Sequence, residues 1–255
     1  MSTEEVIIRC PICNETSPQG YLLCPFCGAD LTKTYEAKIF APVTYKEVWY
    51  RFKALVMTPR VISNEIAENP DSKGGFLFII AIALGLATQL SAYIIHARVL
   101  DWKFYPVIFL LGWIFTLILP TLIWFLGSWI IRTMTRLLGG KGNRKQIRAA
   151  VGYGLMPVVF VELLIGIFQL IALPWGLDPD PSSFLEIFNA MADLRNSFAG
   201  IFGIVLHFSG FLVAGVYIVF ILKPASEFSW IEAAISAGVP LLLFTILLIT
   251  YYVGT

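Results

Sequence analysis

The apolar positions of this chain gather into five long runs instead of a narrow helical or alternating stripe. Twenty-four residues without Lys, Arg, Asp or Glu separate Lys73 from Arg98, and 28 separate Lys103 from Arg132. From Ala149 to Leu177 the sole charged residue is Glu162, and Asn196–Leu222 and Ala233–Thr255 add uncharged runs of 27 and 23 residues. Crossing a hydrocarbon core takes about 20 helical residues, so each run predicts a span. The expected fold is an all-α integral membrane protein, a five-helix transmembrane bundle with a small N-terminal domain.

Ahead of the first run the pattern changes period. Thr44-Tyr-Lys-Glu47 reads as a capping box, and Tyr45, Val48, Trp49, Phe52, Leu55 and Val56 then fall on one helical face, with Lys46, Arg51 and Lys53 toward the other. Such a helix lies in the headgroup layer or packs on the bundle. Thr58-Pro59 starts a second helix, capped by Thr58, which should end before Asn69-Pro70. Between the third and fourth runs, Asp178-Pro-Asp-Pro181 makes a stiff turn. Ser183 and Glu186 then cap a short amphipathic segment bearing Phe184, Leu185, Phe188 and Met191. The chain divides into residues 1–34, a juxtamembrane helical segment at 35–73, and a membrane domain at 74–255.

Composition agrees: 58% of the 255 residues are hydrophobic and 14% charged, far from the quarter expected of a soluble domain. The net charge of +1 says little, but its distribution orients the chain. Lys and Arg number eight before the first run, then two, six, one and one in the successive connections, so alternate segments carry fifteen against three. The side rich in Lys and Arg is cytoplasmic, which puts the N-terminus inside and the C-terminus outside. Residues 1–9 are polar and acidic, unlike a secretory leader.

All four cysteines lie in residues 10–27, as Cys10-Pro-Ile-Cys13 and Cys24-Pro-Phe-Cys27, with ten residues between the pairs. Two thiolates three apart on a tight turn can share an ion, and two such turns complete a tetrahedron. The paired spacing and a reducing cytoplasm argue against disulfides. Zinc is the expected ion and iron the rival. The metal at minimum staples a segment too short to build a core. Residues 1–34 set Arg9 and Lys33 against Glu4, Glu5, Glu15 and Asp30, the wrong sign for nucleic acid. A structural or protein-docking zinc ribbon is the reading, of the kind often fused to prokaryotic membrane proteins.

Arg132, Arg136, Lys141, Arg144, Lys145 and Arg148 crowd the second cytoplasmic connection without an acid among them. They either hold anionic lipid or a protein partner, or serve only as the orientation signal. Gly139-Gly140-Lys141-Gly142 lacks the spacing of a nucleotide loop. Met57–Gly75, together with Leu137–Pro157 and its Gly152-Tyr153-Gly154 and Pro157, resembles the Yip family, the Ypt-interacting-protein type of membrane domain. The likeness, which includes the arrangement of five spans behind a cytoplasmic N-terminus, covers residues 45–255. It implies a five-helix membrane domain; eukaryotic relatives associate with Rab-type GTPases in vesicle traffic. No GTPase-contact residues carry over to this chain, which argues against a GTPase partner.

Glu162 and His207 fall near the middle of the third and fourth runs, at similar depth, with Gln89 and Gln169 as further polar contacts. An ionisable group at that depth faces the bundle or a wet cavity. Glu162 is either a protonated interhelical contact or a functional group. Pro120, Pro157 and Pro240 each free a carbonyl inside a run, Pro157 loosening the turn around Tyr153. Ala81/Gly85, Gly210/Ala214 and Ala234/Gly238 suit close helix packing. The two histidines lie far apart in sequence and no aspartate falls within a run, so metalloprotease and aspartyl-dyad chemistry lack their residues. A non-enzymatic scaffold or adaptor is expected, with a proton-coupled permease using Glu162 and His207 as its rival.

Overall fold

In hydrocarbon the backbone has no solvent to bond, so long apolar runs close their hydrogen bonds as helix. The structure is a computed structural model that describes residues 7–10, 15–18, 21–26, 28, 31, 43–96, 105–174, 189 and 192–254. Two short antiparallel strands, β1 (Ile7–Arg9) and β2 (Thr16–Pro18), pair Ile8 with Ser17. Helices α1 (Tyr45–Met57) and α2 (Pro59–Glu68) precede α3 (Lys73–His96) and α4 (Tyr105–Leu137). Then come α5 (Arg144–Gly154), α6 (Met156–Ala172), α7 (Phe198–Ser226) and α8 (Trp230–Gly254). Among the described residues four stretches are long and apolar enough to cross a membrane: Lys73–His96, Phe109–Leu137, Arg144–Ala172 and Phe198–Ser226. The apolar part of α8 found among them, Trp230–Leu243, is shorter. Asp178–Pro181 and the side chains of Phe184, Leu185, Phe188 and Met191 lie outside the described residues.

The Thr44–Glu47 box forms as expected, the Glu47 N–H donating to Thr44 Oγ1 at 3.3 Å and the Thr44 N–H to the Glu47 carboxylate. That backbone bond holds the Glu47 carboxyl below its ordinary value, so the cap loosens as pH falls through the lowered value. Thr58 departs from expectation. Pro59 does open α2, but the Thr58 hydroxyl donates back to the Ala54 carbonyl at 3.2 Å and makes no cap. α2 ends at Glu68, before Asn69-Pro70.

The expected face of α1 splits. Val48 and Leu55 are buried with Phe52 against them, whereas Tyr45, Trp49 and Val56 are exposed. Arg51, expected on the polar face, is buried (2% exposed).

The third span begins earlier than the apolar run suggests. Asn143 accepts from the Gln146 N–H at 2.9 Å and caps α5, so Arg144, Lys145 and Arg148 are helical and not loop. At Leu155 the helix breaks and restarts as α6 with Pro157 in its first turn, the loosening expected beside Tyr153. Pro120 and Pro240 sit inside unbroken α4 and α8. Gly139 takes a left-handed φ of 80°, and the Gly140 N–H reaches the Thr135 carbonyl at 2.9 Å, which closes α4.

α3 runs parallel to α5–α6 and packs on them more extensively than any other pair of helices. Small residues allow it. A Cβ on Gly75 would come within 2.7 Å of the Trp124 ring, and one on Gly152 within 2.6 Å of the Gly75 backbone. Gly85 meets Glu162, and Gly210 on α7 meets Val161. Gly238 on α8, expected at a close helix contact, has nothing within 4 Å of an added Cβ and lines open space. The core surrounds this seam, from Leu55, Ile62 and Ile66 through Tyr153 and Ile147 to Ile218 and Leu222.

Gly152→Ala should lower the melting temperature in detergent, since its methyl meets backbone that cannot rotate away. Overpacking of this kind costs about 1–3 kcal/mol. Gly127→Ala, where an added Cβ touches nothing within 4 Å, should leave the melting temperature unchanged or raised.

Candidate functional site

Three polar clusters stand out, at the α1–α2 end, inside the bundle and on the N-terminal segment. At the first, the buried Arg51 donates from Nε to Glu65 at 3.2 Å and from Nη1 to the Asn69 carbonyl at 3.0 Å and Asp71 Oδ2 at 2.8 Å. The Tyr153 hydroxyl donates to the same Asp71 oxygen at 2.8 Å, and the Gly74 N–H to Asp71 Oδ1 at 2.9 Å. One carboxylate thus caps α3, pairs a cation from α1 and anchors a phenol from α5. Burial opposes the Arg51 charge, but Tyr153, Asp71 and Glu65 outweigh it and hold the guanidinium above its ordinary value. Gly74 must lack a side chain, because a Cβ there would lie 2.3 Å from the Tyr153 ring. Lys73 donates to the Val43 carbonyl at 2.7 Å, and Gln146 to that of Ala67 at 2.8 Å. α1 and α2 are therefore bonded to the bundle at several points. Sequence reasoning missed this clasp, although its signal was present. Val48, Arg51 and Leu55 are spaced three and four apart and share one face.

Inside the bundle, Glu162 is completely buried. Gln89 on α3 donates to its carboxyl and, at 3.2 Å, to its carbonyl, while Oε1 faces His207 Nδ1 on α7. The residues expected to be partners thus meet across three helices, with His207 partly exposed and edge-on to Phe211 at 4.9 Å. Gln169 reaches the Tyr93 hydroxyl at 3.4 Å instead of joining them.

The N-terminal segment brings Cys10 and Cys24, the first member of each pair, together as buried neighbours beside Leu31. The Gly28 N–H donates to the Cys24 carbonyl at 2.8 Å with Gly28 at a φ of 70°, a tight turn of the form a ligating knuckle needs. Cys13 and Cys27 lie outside the described residues, and no group of three metal-ligand types occurs among those described.

The six basic residues are divided among different tasks. Glu15 forms ion pairs with Arg132 and, at 3.9 Å, Arg136, whose guanidinium also lies 5.2 Å from the Phe26 ring centre. Lys141 pairs with Glu227 at 2.7 Å, which raises its ammonium above the ordinary value. Arg148 stacks on Phe125 at 4.9 Å. Arg144 and Lys145 are exposed and make no bond to any described residue.

Apolar helices of spanning length, with their charge gathered at one end and a buried polar contact between them, define an integral, multi-pass membrane protein. The Yip1 domain model matches residues 53–251, and the chain belongs to that family. The match takes in both halves of the clasp from Lys53 onward, Glu65 and Asp71 on one side and Tyr153 on the other. No curated protein and no solved structure matches the chain.

Asp71→Ala should strip Arg51 of its main counter-charge and destabilise the protein by about 3–5 kcal/mol. Tyr153→Phe removes one hydrogen bond and should cost about 1 kcal/mol. Thermal unfolding in detergent, with limited proteolysis between residues 43 and 72, checks both. Equal effects of the two variants would show that Arg51 does not depend on Asp71.

Proposed function

We propose that this protein is a non-enzymatic membrane scaffold of the Yip type, with five spans, a cytoplasmic N-terminus and a C-terminus outside. α8, 25 residues long, supplies the fifth span. The observation that carries the reading is the fastening of the N-terminal segment to the basic end through Glu15, Arg132 and Arg136. Held there, the segment presents Tyr21, Leu22 and Leu23, each more than half exposed, to the surroundings. An apolar ridge on an acidic, fixed platform suits a cytoplasmic protein partner better than nucleic acid. Cys10, Cys13, Cys24 and Cys27 would hold zinc, and the buried pairing of Cys10 with Cys24 and the turn at Gly28 fit that donor set. The metal would fold the segment that carries the ridge. Arg144 and Lys145, exposed and with side chains bonded to no other described residue, are cations available to anionic headgroups.

The full burial of Glu162 under Gln89 and Gly85 favours a packed contact over a proton path. Glu162→Gln should leave stability nearly unchanged, and Glu162→Leu should cost about 1 kcal/mol by stranding Gln89 and His207. A pH-driven flux through reconstituted protein that vanishes in Glu162→Gln would replace the scaffold with a permease.

Purified protein should carry one zinc per chain by elemental analysis. Cys10→Ser should abolish it and leave the melting of the bundle in place, because the helices satisfy their own backbone. With zinc bound, Leu22→Ser combined with Leu23→Ser should abolish capture of a cytoplasmic protein by in-cell crosslinking. Capture that persists in this variant, or iron in place of zinc, would overturn the corresponding part of the reading.

A further inference from the structure

A cavity of about 600 Å³ opens on the flank of the bundle between α7 and α8, bordering the Glu162 cluster at Phe211, whose ring meets His207 edge-on. Phe211, Gly215, Trp230, Gly238 and Leu242 line it, and Arg60 of α2 closes one end. The walls are almost wholly apolar. Gly238 borders this open space, since nothing lies within 4 Å of where its Cβ would stand. Arg60 is exposed and forms no ion pair or hydrogen bond with any described residue.

Size, depth and charge together restrict the occupant. From Trp230 to Thr245 the groove follows fifteen residues of α8, or about 22 Å. That is about one and a half times one leaflet's share of the hydrocarbon core, about 15 Å. One extended acyl chain suits a groove of that length with apolar walls. At the Arg60 end Lys223 lies 5.1 Å over the Trp230 ring, so a second cation is near the mouth. The neighbouring acids are engaged: Glu227 pairs with Lys141, and Glu232 accepts from the Ser229 N–H at 2.8 Å. A guanidinium offers two parallel donors to phosphate, and the local excess of positive charge favours a headgroup without an ammonium of its own.

We propose that this groove is a site for one anionic glycerophospholipid from the leaflet on the α1–α2 side. One acyl chain lies along Gly215 and Gly238, and the phosphate sits at Arg60. The site is separate from Arg144 and Lys145 and does not depend on the scaffold reading.

Native mass spectrometry of the full-length protein, released from detergent with equal amounts of dioleoyl phosphatidylglycerol and dioleoyl phosphatidylethanolamine, tests it. One phosphatidylglycerol per chain should be retained preferentially. Arg60→Gln should lower that preference about fivefold, the effect of one charge at a headgroup, and Arg60→Lys should restore most of it. Gly238→Leu should reduce retention of both lipids, because its side chain enters the open space without meeting backbone. Melting temperatures of both variants near that of the wild type would show that the losses are not unfolding. Arg144→Gln with Lys145→Gln should leave the retained lipid in place. An unchanged preference in Arg60→Gln, or unchanged retention in Gly238→Leu, would reduce the groove to ordinary lipid contact and overturn the proposal. A dimer lost in Gly238→Leu would overturn it too, by assigning the groove to a second copy of the chain.

Discussion

A guanidinium excluded from solvent must be neutralised where it stands, and the α1–α2 end of this protein is arranged around that requirement. Arg51 can be buried only because Asp71 and Glu65 answer it, and Asp71 can be placed only because Tyr153 and the start of α3 hold it. Removing one member of such a set leaves a buried charge uncompensated, a larger loss than the net worth of the intact pairs. The clasp therefore adds specificity more than raw stability. It fixes how a pair of short, amphipathic helices meets a bundle whose own packing is set in hydrocarbon, where apolar contact alone discriminates poorly between arrangements.

Much of this architecture was legible in the chain, for reasons that differ by residue. The spans were readable because a charge-free run of two dozen residues has few fates other than crossing a bilayer. The contact of Glu162 with His207 followed from shared depth, since a carboxyl in the apolar middle of a bundle is driven toward whatever polar group lies level with it. Arg51 was misplaced because its charge outweighed its spacing. Position 51 belongs to the stripe of Val48 and Leu55, and only the carboxylates fourteen and twenty residues away make burial tolerable. The start of the third span was misread because six cations looked like a solvated loop, whereas the Asn143 cap and the ring of Phe125 accommodate three of them in a helix. The ion pairs of Glu15 with Arg132 and Arg136 join residues more than a hundred positions apart, and no local pattern encodes such a meeting.

The glycines have two opposite uses. At Gly75, Gly85 and Gly152 the missing side chain brings helices into backbone contact, and any addition pushes them apart. At Gly238 the missing side chain leaves room. Sequence alone does not separate these cases, because a small-xxx-small pair looks the same whether its face is covered by a helix or by nothing. The distinction comes from the neighbours: α3 is flanked by α4 and by α5–α6, whereas α8 lies at the edge, against α7 and part of α4.

The carboxyl of Glu162 also constrains how the chain is made. A charged side chain in the middle of a span raises the cost of entering the bilayer by about 2.5–3.5 kcal/mol on insertion scales. As synthesis proceeds, α6 enters the membrane when Gln89 on α3 is already there but His207, 45 residues further on, is not. The order of synthesis thus gives α3 the part of an intramolecular receptor for α6, through the Gly85 contact and the Gln89 amide, and α7 arrives to complete the pair. The parallel placement of α3 beside α6, across an intervening α4, is the arrangement that makes this early reception possible.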